Sequence, residues 1–149
     1  MKLFSGGQTG VDRAGLDAGL ELGFEIGGYC PKGRKAEDGF IPRKYPLIET
    51  FESDYPTRTK LNILTTEATC IIVRTARELD RGTALTLKLC EKLHKPYLVV
   101  HLVSYDMDIV RNWTKNFDKI NIAGPRESKS PGIYEATKYF LLQVFEKCQ

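Results

Sequence analysis

The chain has 149 residues, of which 42% are apolar and 28% charged, and this composition excludes disorder along its whole length. A net charge of +3 is too small for the basic face of a nucleic-acid-binding domain, so we expect no nucleic-acid partner. No apolar stretch approaches the roughly 20 residues of a membrane span, and the scattered cysteines include no Cys-x-x-Cys pair. We therefore expect one cytoplasmic domain over residues 1–149, with reduced thiols and no membrane partner.

Strand and helix patterns alternate along the chain. The sequence predicts, in order, a strand at 2–4, a helix at 11–22 that ends at Gly23, a strand at 25–29, a long loop at 31–46, a short strand at 47–50 and a helix from about residue 57, flagged by Pro56. It then predicts a strand at 70–74, a helix at 83–93, a strand at 97–103, a helix at 106–117, a strand at 120–123 and a helix at 133–147. Continuous apolar strands such as 70–73 are typical of a parallel sheet covered on both faces. We therefore predict an α/β fold, a Rossmann-like three-layer α/β/α sandwich with a mostly parallel sheet.

Three loops each follow a short apolar run and precede a helical pattern: Ser5-Gly6-Gly7-Gln8-Thr9-Gly10, Arg81-Gly82-Thr83 and Gly124-Pro125-Arg126-Glu127-Ser128. In an α/β fold such loops fall at the carboxyl ends of the strands, where ligands bind. Backbone N–H groups at a helix start can hold an anion without a basic side chain. The sequence therefore predicts a pocket for a phosphorylated small molecule on one rim of the sheet.

The first of these loops departs from two known phosphate-binding fingerprints. Its frame reads Ser5-x-Gly7-x-x-Gly10, with serine in place of the first glycine of the dinucleotide motif. The acidic residue that this motif needs after the second strand is also missing, since Tyr29-Cys30-Pro31-Lys32 stands there. Residues 28–35 have the glycine spacing of a P-loop but lack its lysine and its Ser/Thr. Ordinary NAD binding and P-loop chemistry are therefore not predicted.

Two interpretations of Asp12 stay open. In the first, Thr9 caps the following helix and Asp12 completes a capping box. In the second, Asp12 hydrogen-bonds a hydroxyl or a ring nitrogen of the ligand. Thr83 is open in the same way, as a helix cap or as a phosphate ligand beside Gly82.

Polar side chains of neighbouring loops complete the predicted pocket. Lys32 and Arg34 lie in the long loop after the second strand, and Arg126 and Ser128 follow the last strand. One arginine near the third helix is also expected to reach the pocket, and the sequence leaves open which of Arg74, Arg77 and Arg81 it is. Neither histidine has the spacing of a paired metal ligand, so no metal site is predicted.

Four stretches of the chain carry a family resemblance: residues 5–17 read SGGQTGVDRAGLD, residues 28–34 read GYCPKGR, residues 58–62 read RTKLN, and residues 124–128 read GPRES. With them the chain resembles the molybdenum-carrier family, nearly from end to end. That family is similar to a broader Rossmann-like group, the lysine-decarboxylase-like (LOG-type) proteins, which bind nucleotide-derived ligands and usually form dimers or tetramers. The resemblance implies a homodimeric or homotetrameric carrier of molybdenum cofactor, a phosphorylated pterin, or of a nucleotide-like ligand.

The same resemblance bears on catalysis. Some LOG-type proteins are phosphoribohydrolases, in which the Glu of a Gly-Gly-x-Gly-Thr-x-x-Glu loop assists departure of the base. The matching stretch here, residues 80–86, places Thr86 where that Glu would be, and threonine cannot supply a carboxylate. A binding or carrier protein is therefore favoured, and its catalytic residues, if it has any, stay unknown.

Two other functions stay open beside the carrier. One is a nucleotide-processing enzyme such as a nucleotide N-glycosidase, with Asp12, Glu78 or Asp80 as an unconventional acid. The other is a nucleotide-sensing regulatory module that acts through a partner. For the carrier, the residues expected to bind the phosphorylated ligand are Ser5, Gly6, Gly7, Gln8, Thr9, Gly10, Asp12, Arg13, Lys32, Arg34, Gly82, Thr83, Arg126 and Ser128.

Overall fold

The computed structural model describes residues 1–51, 55–79 and 81–146. Among the sequence-based predictions, the candidate acid Asp80, the thiol of Cys148 and the end of the last helix at residue 147 lie outside the described residues. Within the described ranges, no helix combines the length and the apolarity needed to cross a membrane.

Strands and helices alternate along the chain. The strands are β1 (Lys2–Phe4), β2 (Glu25–Gly27), β3 (Tyr29–Cys30), β4 (Lys35–Ala36), β5 (Gly39–Phe40), β6 (Ile48–Glu49), β7 (Ala68–Val73), β8 (Tyr97–His101) and β9 (Lys119–Ala123). The helices are α1 (Val11–Leu22), α2 (Tyr55–Leu64), α3 (Arg81–Lys92), α4 (Met107–Thr114) and α5 (Ile133–Val144). Every predicted helix and strand is present, most with ends shifted by a few residues.

The central sheet has five strands, all parallel, in the order β2-β1-β9-β7-β8. Leu3 of β1 lies beside Ile26 of β2 on one side and Ile120 of β9 on the other. Because β1, β9 and β7 are neighbours and run in the same direction, the loops that follow them leave the same edge of the sheet side by side.

Helices cover both faces of this sheet. α1 packs against α5, which also contacts α4, and α2 packs against α3. The core contains the fully buried Leu3, Ile72, Ile120, Ile122 and Phe140. Burying each such side chain contributes roughly 1.5–3 kcal/mol, so this core holds the strands in register. The predicted Rossmann-like three-layer sandwich with a parallel sheet is confirmed.

A second, smaller core holds the segment between β2 and α2 against α1; its members include Leu16, Cys30, Ile41, Tyr45 and Leu47. In this segment β3 pairs in parallel with β6, and β4 pairs antiparallel with β5. The second pair is a hairpin with Glu37 and Asp38 at its turn. The loop predicted at 31–46 therefore contains an ordered hairpin.

The second predicted strand, 25–29, is interrupted. Gly28 has a φ of +135°, and a Cβ there would lie 2.0 Å from the Ser5 carbonyl oxygen. Only glycine fits this position, and the chain leaves the central sheet there to begin β3.

Two helix caps that the sequence left open are not formed. The N-cap of α1 is Gly10 without a side-chain cap, because the Thr9 hydroxyl hydrogen-bonds Glu37 instead. The capping box of Thr9 and Asp12 is therefore not formed. Similarly, α3 begins at Arg81, so Thr83 lies within the first turn of the helix rather than at its cap.

Candidate functional site

The loops that follow β1 and β9 meet at the carboxyl edge of the sheet. We call residues 5–10 the first loop and residues 124–132 the last loop. Gly10 has a φ of +80°, and a Cβ there would lie 2.4 Å from the Pro125 carbonyl oxygen. The Val11 N–H donates to the same oxygen at 3.2 Å. A side chain at residue 10 would push the two loops apart, so glycine is required both for space and for backbone conformation.

The two loops together hold the carboxylate of Glu37, which stands at the hairpin turn. Ser128 donates to it from its backbone N–H at 3.1 Å and from its Oγ at 2.5 Å, and the Thr9 hydroxyl donates to Oε1. Arg126 Nε lies 3.5 Å from Oε2. We call Thr9, Arg126 and Ser128 the carboxylate site. Burial raises the pKa of Glu37, but the hydrogen bonds from Ser128 and Thr9 and the charge of Arg126 lower it below its ordinary value, so the site prefers an anion.

Gln8 and Thr9 tie the hairpin and the last loop to the first loop. The Gln8 Oε1 accepts from the N–H of Thr9 at 3.0 Å and from the N–H of Glu37 at 2.9 Å. Thr9 Oγ1 accepts from the Glu127 N–H at 3.2 Å. The structure therefore brings together four of the residues proposed from the sequence as ligands, namely Gln8, Thr9, Arg126 and Ser128.

Thr9 also borders a cleft of about 400 Å³. Two tyrosines border it and share one carboxylate: the Tyr45 hydroxyl donates to Asp17 Oδ1 at 2.6 Å, and the Tyr134 hydroxyl donates to Asp17 Oδ2. Burial, followed by the hydrogen bond to Asp17, raises the pKa of both tyrosines, so both hydroxyls stay protonated. We call this space, bordered by Thr9, Asp17, Tyr45 and Tyr134, the tyrosine cleft.

The tyrosine cleft is acidic. Its described lining includes four carboxylates and one guanidinium, those of Asp17, Asp38, Glu127, Glu135 and Arg13. Arg13 donates to the Gly7 carbonyl oxygen from Nε at 3.1 Å and pairs with Asp38 at 3.1 Å. The predicted ligand residue Arg13 therefore has partners within the protein. A phosphate suits the carboxylate site better than this cleft, whereas N–H groups of a ligand suit the cleft.

A buried ion pair lies beneath the first loop. Arg58 Nη1 of α2 lies 3.9 Å from Asp12 Oδ2, and both residues are buried. Burial raises the pKa of Asp12 to about 6, although Arg58 and the N–H groups of Gln8 and Gly6 lower it. A cavity of about 20 Å³, bordered also by Gly6 and Thr86, has room for about one water molecule. Asp12 can therefore gain or lose a proton not far below neutral pH at a buried polar site.

Arg34, predicted from the sequence as a ligand residue, borders neither the tyrosine cleft nor the small cavity beside Asp12. It is buried, and its guanidinium donates to the backbone carbonyls of Ile41, Pro42, Tyr45 and Leu47 at 2.8 to 3.2 Å. These bonds fix the segment that follows the hairpin.

Three other predicted residues are also placed away from both cavities. Lys32 is exposed and borders neither the tyrosine cleft nor the smaller cavity. The Ser5 hydroxyl is buried and donates to the Asp12 carbonyl oxygen at 2.8 Å. Gly7 faces Leu47, which a Cβ would approach to 2.6 Å. Ser5 and Gly7 therefore contribute to the conformation and packing of the first loop.

The segment after β7 joins the last loop. Arg74 Nε donates to Ser130 Oγ at 3.0 Å, and Glu78 accepts hydrogen bonds from the Arg74 N–H at 2.6 Å and from the Ser130 hydroxyl. Arg74 is thus the candidate arginine that contacts the last loop. Arg77 is exposed, and the side chain of Arg81 lies outside the described part of the structure. The Glu78 carboxylate is engaged in fixing the loops.

Gly82 and Thr83 lie in the first turn of α3. The Gly82 carbonyl oxygen accepts from the Thr86 hydroxyl at 3.1 Å, and Thr83 is buried. Thr86 reaches the small cavity beside Asp12, so α3 meets the first loop there rather than at the carboxylate site. Among the described residues, no group of three or more His, Cys, Asp or Glu side chains is placed to hold a metal ion.

Sequence reasoning missed the roles of Glu37, Arg58, Tyr45 and Tyr134. Asp38-Gly39 is a hairpin-turn signal that could have located Glu37 at a hairpin turn. Arg58 falls in one of the family-like stretches, but no pattern shows that its side chain points under the first loop. The two tyrosines are far apart in sequence, and only the fold brings both to Asp17.

Comparison with known proteins agrees with this architecture. A model of the circularly permuted YpsA SLOG family (cpYpsA) matches residues 3–145. No curated protein matches the sequence. The chain is similar to a crystal structure named "putative molybdenum carrier protein", from Syntrophus aciditrophicus SB, with 40% sequence identity, a TM-score of 0.88 and coverage of 98% of this chain and 94% of that one. The resemblance carried by the four sequence stretches is thereby confirmed, and the chain belongs to the circularly permuted YpsA SLOG family.

Proposed function

We propose that this protein binds and carries a phosphorylated small molecule, either a phosphorylated pterin such as molybdenum cofactor or a nucleotide-like ligand. One observation carries the proposal: the first and last loops already hold the Glu37 carboxylate through the Ser128 N–H, two hydroxyls and Arg126. Phosphate oxygens accept the same hydrogen bonds as carboxylate oxygens. The name of the similar crystal structure supports a molybdenum-related ligand.

The tyrosine cleft supports a ring attached to that phosphate. Thr9 borders the cleft and also belongs to the carboxylate site, so one ligand can contact both. The cleft volume of about 400 Å³ falls in the range of small-molecule pockets, roughly 300–1,000 Å³. Pterin and guanine rings share an edge with an amino group beside a ring N–H, and carboxylates of the cleft lining such as those of Asp17 and Glu135 accept from such an edge. The cleft therefore favours pterin or guanine over adenine.

Native mass spectrometry of freshly purified protein, followed by titration with molybdenum cofactor, GMP and AMP, tests this function. We expect a copurified phosphorylated ligand or a clear preference for the pterin or for GMP. Thr9→Val removes a hydroxyl of the carboxylate site without changing side-chain size, and it should weaken binding. Thr65→Val is the matched control, because the Thr65 hydroxyl donates to Leu61 within the α2 C-terminal turn. Binding no tighter than that of inorganic phosphate would count against the carrier.

A nucleotide-processing enzyme is the second candidate, and the Asp12 site favours it. A buried carboxyl with a pKa of about 6 beside a water-sized cavity is a suitable general acid or base. Incubation with nucleoside monophosphates and chromatography for free base decides the matter. Release by the native protein and none by Asp12→Asn would support the enzyme, whereas no release at high protein concentration would exclude it.

We propose a homodimer or homotetramer, which the native mass spectrum of the purified protein also measures. A nucleotide-sensing module stays as a third function; it would show nucleotide binding without turnover together with capture of a partner. We also propose that the protein is cytoplasmic.

A further inference from the structure

The hairpin that carries Glu37 makes few apolar contacts. In the part of the chain that the structure describes, β4 and β5 pair with each other and with no other strand. Lys35, Gly39 and Phe40 are exposed, Ala36 alone among the apolar hairpin residues packs partly buried against the second core, and the first fully buried side chain after the turn is Ile41. A two-stranded hairpin that buries little surface has little stability of its own in water. The position of the turn must therefore depend mainly on polar contacts.

Those polar contacts come from the two residues of the turn. The Glu37 carboxylate lies in the carboxylate site, and the Glu37 N–H donates to Gln8 Oε1 at 2.9 Å. Asp38 receives two hydrogen bonds from the Arg13 guanidinium, at 3.1 and 3.2 Å. Glu37 is thus held by the first and last loops, and Asp38 is held by Arg13 of α1, the helix that follows the first loop. The turn is therefore held by groups that a ligand at this edge would also use.

Three donors and one guanidinium around a carboxylate are what a bound phosphate group would receive. We propose that Glu37 is a built-in competitor for the ligand phosphate: residues 35–40 form a strap that places its own carboxylate in the carboxylate site, and a phosphate that binds Thr9, Arg126 and Ser128 displaces it. This inference rests on the proposed function, and it adds the position of the phosphate and the residue that must leave.

A tethered carboxylate is an effective competitor. Because the strap is part of the chain, the effective concentration of its carboxylate at the site is of the order of millimolar. The apparent affinity for phosphate then equals the affinity of the open site multiplied by the fraction of time for which the site is open. Inorganic phosphate makes no contacts outside the carboxylate site, so it gains no additional binding energy with which to displace Glu37. A ligand whose ring also contacts the tyrosine cleft gains additional binding there, so the strap selects phosphorylated ring compounds over inorganic phosphate.

Titration of the full chain with inorganic phosphate, followed by the NMR shift of the Ser128 N–H, tests the strap. Glu37→Gln keeps the side-chain size but removes the charge that the carboxylate site holds. Glu49→Gln is the matched control, because the Glu49 carboxylate accepts from the Gly33 N–H in the same segment of the chain but outside the carboxylate site. If the site is closed for 90% of the time or more, Glu37→Gln should bind phosphate about tenfold more tightly, or better, than the native protein and Glu49→Gln. Equal affinity in all three folded proteins would overturn the inference.

A second measurement separates the strap from the proposed function. Saturating molybdenum cofactor or GMP should speed hydrogen exchange of the Glu37 N–H in the native protein, because displacement of the strap breaks its bond to Gln8. If either ligand binds while Glu37 exchange and the Ser128 N–H stay unchanged, the strap is overturned and the carrier stands. If neither ligand binds but Glu37→Gln gains phosphate affinity, the carrier fails and the carboxylate site keeps its assignment.

Discussion

The guanidinium of Arg58 lies against Gly6, where a Cβ would be 2.7 Å from Nη1. The same nitrogen lies 3.4 Å from the Gly6 carbonyl oxygen, to which it donates, and 3.9 Å from Asp12 Oδ2. A buried cation therefore supports the first loop from below. A Cβ at residue 6 would meet the Arg58 guanidinium, which would have to move to admit a side chain there.

The Arg58–Asp12 pair predicts a charge-dependent loss of stability. Arg58→Met keeps most of the side-chain length but leaves the Asp12 carboxylate buried without the guanidinium. We expect a loss of about 3–5 kcal/mol in the free energy of unfolding at pH 8, measured by urea denaturation, and a smaller loss at pH 5, where Asp12 takes up a proton. The double variant Asp12→Asn, Arg58→Met should recover part of the loss; if it does not, the unpaired charge is not the cause.

The pKa of Asp12 predicts a pH dependence of stability with a definite sign. Burial raises it from its ordinary 3.8 to about 6, so between these values the folded protein binds the proton more tightly than the unfolded chain. The favourable contribution is present at pH 4 and is lost as the pH rises through 6. Between pH 4 and pH 7 the native protein should lose about 2 kcal/mol of unfolding free energy relative to Asp12→Asn. A difference that moves the other way would contradict the raised pKa.

Much of the fold follows from local sequence patterns. The fully buried run of β7 and the alternation of apolar strands with amphipathic helices are sufficient to predict a parallel sheet covered on both faces. The strand order was not predictable, because it depends on which strands pair across long stretches of chain. The break at Gly28 was missed for a similar reason, since it depends on contact with the Ser5 backbone.

The meeting of the first and last loops was predictable, but the carboxylate that stands between them was not. The sequence placed Thr9, Arg126 and Ser128 in loops after strands, and adjacency of β1 and β9 brings them together. It could not show that Glu37 fills the space between them, because that contact joins residues 91 positions apart. The orientation of Arg34 was not predictable either: a basic residue in a loop suggests a ligand, whereas the fold turns its guanidinium inward onto carbonyl groups.

The contact between Gly10 and the last loop predicts that the two loops cannot tolerate a side chain there. Gly10→Ala would place a Cβ 2.4 Å from the Pro125 carbonyl oxygen at a φ of +80°. Gly23→Ala is a matched control, because Gly23 has a φ of +73° and nothing within 4 Å of its Cβ position. We expect about 1 kcal/mol of destabilisation for Gly23→Ala, from backbone strain alone, and at least twice that for Gly10→Ala, by thermal or urea unfolding.

The same pair of variants separates loop geometry from general stability. Gly10→Ala should also weaken phosphate binding in a Glu37→Gln background, because the Thr9 and Ser128 donors move apart, whereas Gly23→Ala should leave it unchanged. If Gly10→Ala and Gly23→Ala were equally destabilised and bound phosphate equally well, the last loop would be able to move away from residue 10 at no cost. The contact between the two loops would then not define the site.

Substitution by lysine should affect mainly stability at Arg34 and mainly phosphate affinity at Arg126. Arg34→Lys keeps the charge but cannot reach four carbonyl oxygens, so several stay buried without a donor, and we expect a loss of about 2–4 kcal/mol by urea denaturation. Arg126→Lys lies at the partly exposed rim of the carboxylate site and should change stability by less than about 0.5 kcal/mol.

In the Glu37→Gln background, Arg126→Lys should reduce phosphate affinity more than Arg34→Lys does. Arg126→Lys loses the planar guanidinium beside the anion and should bind phosphate several-fold more weakly, because a lysine cannot donate two parallel N–H groups. Arg34→Lys should bind phosphate with nearly native affinity at temperatures where it is folded, because its guanidinium is bonded to the chain and not to the site. If Arg34→Lys instead lost phosphate affinity while keeping its unfolding free energy, Arg34 would be a ligand residue, as its position in a basic loop first suggested.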